Sequence, residues 1–186
     1  MPPSSTTEAA TAADWDEQFA ALCQRRMANG GKPGLASAQD TAGMNGLEMM
    51  QAMLEGRLPF PHIAQTLDFG LFEVAAGRAV FQGTPQLMHY NPLGSVHGGW
   101  YATLLDSALG CAVHTTMALG YSYTTVELGV HIVRSASART GPLRAIGQVI
   151  HSGRQLATAE ARIVDPNGKI YAHASSACLV FETKPV

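Results

Sequence analysis

The sequence predicts an α+β fold in which one antiparallel sheet curls around a buried central helix. Three observations lead there. After residue 66 the order is strand, strand, long helix, then four strands, an antiparallel sheet with its helix segregated from the strand runs. The helix candidate, Trp100–Leu119 (WYATLLDSALGCAVHTTMAL), holds a single formal charge, Asp106. A helix that is apolar all round is a buried helix, and one sheet buries it only by curling around it, with a partner subunit over the rest. Asp165-Pro166-Asn167-Gly168 is a strong hairpin signal, because Pro presets φ and Gly supplies the positive-φ position.

Along the chain, residues 1–13 (MPPSSTTEAATAA) are small, polar and proline-marked, and disorder is expected there. Asp14–Met27 spaces Trp15, Phe19, Leu22 and Met27 as a helix and stops at Asn29-Gly30-Gly31. Gly30–Gly43 is a loose Gly/Ala/Ser stretch that reads as a linker, which divides the chain into an N-terminal extension, 1–43, and a domain, 44–186. A second helix is expected over Gly46–Glu55, with Leu47, Met50 and Leu54 on one stripe and Gly56 and Pro59 ending it. Phe69–Val74 and Arg78–Gly83 read as strands around a turn at Ala75–Gly77. A breaker-rich loop, Thr84 to Gly94, leads to the central helix. Four strands follow: Thr124–Arg134, Leu143–Ser152, Gln155–Val164 and Lys169–Phe181.

Composition narrows the function. Charged residues are 14 % of the chain and apolar ones 46 %, with a net charge of −2. That charge fraction is well below the roughly 25 % of an ordinary soluble domain, so surface hidden by self-association is expected. No basic block is present, which argues against nucleic acid as a partner. The longest apolar runs, Phe19–Cys23 and Ala177–Phe181, are far too short for a bilayer. The first 24 residues contain no Lys or Arg, so no secretory leader is expected. Cys23, Cys111 and Cys178 are scattered, a pattern that fits neither a disulfide framework nor a metal site. A cytoplasmic location is the expectation.

Two features carry chemistry. A carboxylate in the middle of an apolar helix is costly unless it is paired, protonated or lining a cavity, and no cation is near Asp106 in sequence. Just before the helix stands Asn91-Pro-Leu-Gly-Ser-Val-His97-Gly98-Gly99. Two glycines at a helix start leave first-turn N–H groups unobstructed at the positive end of the helix dipole. Such donors suit an oxyanion or a polarised carbonyl.

The combination N-x-x-x-G-x-x-H-G-G-x₆-D, followed by strands carrying Thr-Val-Glu-Leu, His-Ser-Gly-Arg and Asp-Pro-Asn-Gly, resembles hotdog-fold acyl-CoA thioesterases. The nearest branch is the phenylacetate-pathway, or PaaI-like, group. The resemblance covers about residues 44–183, and Gly56-Arg-Leu-Pro-Phe-Pro61 is similar to that family's lead-in to its first strand.

It implies a set of roles. Asp106 stands where the family has its catalytic carboxylate, acting as general base or nucleophile. Gly98 stands where a backbone N–H polarises the thioester carbonyl, with Gly99 beside it. Asn91 and His97 stand where water and carbonyl are positioned. A hydroxyl on the following strand often lies near the attacking water, and Thr124 and Thr125 are the candidates. Strict alternation puts Thr124 on the face of Val126, Leu128, Val130 and Ile132, so Thr124 is chosen. The polyanionic end of coenzyme A, itself part of the substrate, is expected at Ser152-Gly153-Arg154, with Arg134 as a second cation. No other cofactor is implied.

A metal enzyme is disfavoured, since the seven histidines include no His-x₃-His pair. A serine hydrolase lacks its Gly-x-Ser-x-Gly elbow. A hotdog acyl-CoA dehydratase or hydratase and a non-catalytic acyl-CoA-binding protein remain as alternatives. Gly98 and Asp106 lie about 12 Å apart along one helix at about 1.5 Å per residue, too far to serve one carbonyl. A homodimer with sites at the subunit interface, or a dimer of dimers, is therefore expected.

Overall fold

The computed structural model describes residues 11–183. Helix α1 (Ala12–Ala28) opens on a capping box in which Thr11 Oγ1 accepts from the Asp14 N–H and the Asp14 carboxylate accepts from the Thr11 N–H at 2.7 Å. Both orphan donors at the helix start are satisfied, so residues 11–13 are a capped helix start where disorder was expected. The rest of that expectation, residues 1–10, lies outside the described residues. A second capping box, Asn45 with Glu48, starts α2 (Gly46–Glu55), and Gly56 ends it in the left-handed conformation. A short helix, α3 (His62–Thr66), was not anticipated.

The strands are β1 (Phe69–Ala75), β2 (Arg78–Gly83), β3 (Tyr121–Ile132), β4 (Leu143–Ser152), β5 (Leu156–Val164) and β6 (Ile170–Glu182). They form one antiparallel sheet in the order β1-β2-β4-β5-β6-β3. Helix α4 (Gly98–His114) lies along its concave face, in contact with every strand. It is shorter than the Trp100–Leu119 expected. Thr115 and Thr116 turn their hydroxyls onto the Ala112 and Val113 carbonyls at 2.6 and 2.8 Å, and such bonds compete with the helical ladder.

The inner sheet face explains the small-residue composition. Ala145, Gly147, Ala157, Ala159, Ala161, Ala172 and Ala174 line it, and a Cβ on Gly147 would collide with the Ala108 carbonyl of α4. The helix therefore sits at backbone distance on a floor of alanine. Much of the chain's Ala and Gly is spent on this internal contact.

Helix α1 packs on the convex side. The Arg144 guanidinium is sandwiched between the rings of Trp15, at 4.0 Å, and Phe72, at 3.6 Å, and burial pulls its pKa down to about 10. Fully buried Gln82 accepts from Arg144 and donates to the Trp15 carbonyl. The segment after α1 is also tied in, by the Pro33–Phe60 bridge.

Candidate active site

Strand β3 runs antiparallel to α4, which fixes what faces what. Gly98 lies by Ile132, and Gly110 lies by Tyr123, where a Cβ would stand 2.7 Å from the phenol oxygen. Between these points the Thr125 hydroxyl donates to Asp106 Oδ1 at 3.2 Å. Thr125, not Thr124, thus meets the catalytic candidate. The reason is a β-bulge between Thr125 and Glu127 in the β3–β6 pairing. Leu128 and Val130 pair with inward-facing Ser176 and Ala174, as alternation predicts. The bulge absorbs Val126 and reverses the parity beyond it, so Thr125 pairs with buried Cys178, and Thr124 is left exposed opposite Leu179. A single sequence carries no signal for that extra residue.

Asp106 is half-buried and forms no ion pair among the described residues. It opens on a cleft of about 520 Å³ bounded by Met49, Met53, Leu58 and Tyr123. The methionines come from α2, whose role in this wall the sequence did not signal. Cys111 shares the cleft, but burial, with the Asp106 charge beside it, pushes its thiol up to about 12. It stays protonated and is no nucleophile. Burial likewise raises the Tyr123 phenol and lowers the His114 imidazole.

At the other end of α4, His97 is the N-cap and its Nδ1 accepts from the Gly99 N–H at 2.8 Å. That bond uses the Gly99 donor and leaves the Gly98 N–H without a partner among the described residues. Asn91 is engaged in its own loop, with Oδ1 accepting from Leu93 and Ser95 and Nδ2 donating to the Ser95 hydroxyl. His89 stacks on Trp100 at 5.6 Å and accepts at Nδ1 from the Gln86 N–H. Its Nε2 is buried with no partner among the described residues, and burial lowers its pKa.

The two expected coenzyme sites lie at opposite ends of α4. Ser152 Oγ meets Thr116, just past the helix C-terminus, at 2.8 Å, and Gly153 and Arg154 line a hollow with Tyr121. Arg134 lies near the N-terminus, where its carbonyl accepts from Tyr101, and it extends over the Tyr171 ring. One protomer therefore brings together Asp106 with Thr125, and His97 with the Gly98–Gly99 helix start, while Asn91 stays bonded within its own loop. It does not bring Gly98 to Asp106, nor Arg134 to Arg154. Among the described residues no three His, Cys, Asp or Glu side chains gather as metal ligands, and no helix is long and apolar enough to cross a membrane.

Comparison with known proteins agrees with this architecture. The family model of the thioesterase superfamily matches residues 93–172, which run from the Asn91 loop into β6. No curated protein matches. Among solved structures, a phenylacetic acid degradation-related protein from Ralstonia eutropha JMP134 is 29 % identical over 70 % of this chain and 98 % of its own, with a TM-score of 0.63. The E. coli PaaI protein of the phenylacetic acid degradation operon superposes with a TM-score of 0.60 at 24 % identity, over 66 % of this chain and 86 % of its own. A thioesterase from Haemophilus influenzae superposes at 0.61 with 15 % identity, over 66 % of this chain and 85 % of its own. The six-stranded sheet around α4 is the hotdog fold, and residues 93–172 are similar to the thioesterase superfamily, with phenylacetic acid degradation proteins among the structural neighbours.

Proposed function

We propose that this protein hydrolyses acyl-CoA thioesters, with Asp106 as general base. The observation that carries the reading is the Asp106–Thr125 pair at the mouth of an apolar cleft, with no cation paired to the carboxylate among the described residues. The Thr125 hydroxyl fixes Oδ1 and leaves Oδ2 to take a proton from water. The acyl group occupies the cleft walled by Met49, Met53 and Tyr123. The Gly98 N–H, aided by the positive end of the α4 dipole, polarises the thioester carbonyl.

Gly98 and Asp106 are about 12 Å apart on the same helix, so the complete site takes Gly98 from one protomer and Asp106 from its partner. Two features favour that assembly. Among the described residues β3 is a twelve-residue edge strand with one side unpaired, an open template for a second copy. The stripe of α4 beside it, Ala102, Thr103, Asp106 and Ser107, is only half-buried. A twofold axis between two such edges runs the α4 helices antiparallel and forms the site twice. It also carries Arg134 of one chain toward the Arg154 end of the other, so both cations serve one coenzyme A.

The test is release of free thiol from a panel of aryl and short-, medium- and long-chain acyl-CoAs. Turnover of at least one member is expected, with Asp106→Asn slower by about hundredfold or more. Near wild-type rates in a folded Asp106→Asn protein would remove Asp106 from this role. Hydration of an enoyl-CoA, or binding without turnover, would instead identify a hydratase or a sensor.

A further inference from the structure

A second cavity, of about 220 Å³, lies beneath α1, remote from the Gly98 loop and lined by Phe19, Cys23, Met53, Phe60, Phe69 and Phe81. Its wall also holds Arg26, which is only 5 % exposed. A buried guanidinium normally faces a carboxylate. Among the described residues the ion pairs are Arg57–Glu55 and Arg78–Glu73, and Arg26 takes part in neither. Its Nε donates to the Leu54 carbonyl at 3.4 Å and its Nη2 to the Leu71 carbonyl. Leu54 belongs to the last turn of α2, so the negative end of that helix supplies part of the compensation.

Arg carries five N–H donors, and these two bonds leave Nη1 without a partner among the described residues. Nη1 borders Gly70, where a Cβ would stand 3.4 Å from it and 3.0 Å from the Phe19 ring. The absent side chain keeps space open beside the charge. Asp68 also lines the cavity, but it is exposed and accepts from Gln86. The result is an apolar chamber whose wall holds a guanidinium that is bonded to two carbonyls and lies 6.0 Å over the Phe60 ring but faces no carboxylate among the described residues. It is the complement of an apolar body carrying one negative head.

We infer that this chamber binds a monocarboxylic acid with an aliphatic or aromatic body, its carboxylate received by Arg26 Nη1 and its body by the phenylalanine and methionine side chains. The site does not depend on the reading of the Asp106 cleft, and equilibrium binding tests it without reference to turnover. Octanoate is the probe, octanol its uncharged counterpart, and methyl-¹³C methionine the reporter, because Met27 lines the chamber and not the Asp106 cleft, Met49 lines that cleft and not the chamber, and Met53 borders both.

Octanoate is expected to bind one per chain, shift the Met27 methyl signal, and leave Met49 unmoved. A shift at Met49 without one at Met27 would place the ligand in the Asp106 cleft and overturn the inference. Octanol should bind about tenfold more weakly or worse, since a charge-assisted hydrogen bond is lost. Arg26→Gln should bring octanoate down to the octanol affinity. Because Arg26 also ties α1 to α2 and β1, a second variant guards against misfolding: Cys23→Phe fills the chamber, leaves the Arg26 bonds alone, and should abolish binding of both probes at an unchanged melting temperature. Equal affinity for octanoate and octanol would overturn the inference. So would no octanoate binding to the wild-type protein, or undiminished binding in folded Cys23→Phe.

Discussion

At the scale of single residues, the choice between two adjacent threonines is decisive. The Thr125 hydroxyl contacts the carboxylate, whereas Thr124 is exposed at the rim of the same cleft and makes no such bond. Thr125→Val removes a hydrogen bond to a charged group and is expected to lower kcat by about tenfold to hundredfold with little change in KM. Thr125→Ser should recover most of it, and Thr124→Val should stay within about twofold of wild type. Steady-state kinetics on one acyl-CoA checks all three, and a larger effect at Thr124 than at Thr125 would contradict the geometry. The site was only partly legible in sequence. Asp106 was conspicuous because a lone charge in an apolar helix demands an explanation, and His97-Gly98-Gly99 because glycine pairs expose donors. The hydroxyl partner was missed because strand parity was extrapolated through a bulge. Met49 and Met53 were missed because which helix roofs a cleft is a tertiary fact, absent from local pattern.

Elements raise a different matter, the two ends of α4. His89 stacks on Trp100 in the first turn, and His114 is the last helical residue, tilted on Tyr123 at 5.6 Å. Burial holds both imidazoles below their ordinary value near 6.5. The unfolded chain therefore binds these protons at higher pH than the folded one, and stability rises with pH through this window. It is fully present above about pH 6.5 and is lost as pH falls from there toward the lowered folded values. Urea midpoints should be lower at pH 5.5 than at pH 7.5, and the difference should shrink in His114→Gln. A midpoint independent of pH between these values would show that neither imidazole is held neutral. The elements themselves were readable where short-range signals agree. The Asn45–Glu48 box and Gly56 bracket α2, and β2 and β4 run between clear turns. Helix α4 was overextended because Thr115 and Thr116 leave the ladder through side-chain bonds that helical periodicity does not register.

For the whole molecule, the hotdog sheet around α4 follows from element order and from the apolar character of the helix. The docking of α1 does not, because the stacking of Trp15, Arg144 and Phe72 joins residues far apart in the chain. The assembly leads to a complementation experiment. If each site takes Gly98 from one protomer and Asp106 from the other, an Asp106→Asn chain and a Gly98→Pro chain should each be inactive alone. Pro removes the N–H at Gly98. Subunit exchange should rebuild one intact site per mixed dimer and restore roughly half the activity of that species. No recovery, with exchange demonstrated by mass spectrometry and folding intact, would place both residues' work within one chain or deny it to one of them.

The bulge at Val126 also bears on how long the strand needs to be. Val126 is 61 % exposed and is the residue without a counterpart across the β3–β6 ladder. The strand is thus one residue longer than its partner requires, and the surplus sits beside the most position-sensitive side chain it carries. Removing Val126 leaves Thr125 facing α4 and Leu128, Val130 and Ile132 facing the core, because regular alternation then delivers what the bulge now delivers. The same active face is therefore compatible with two strand lengths. A chain lacking Val126 is expected to keep the Thr125–Asp106 hydrogen bond and its fold, whereas removing Glu127 together with Val126 would turn that hydroxyl to the outer face.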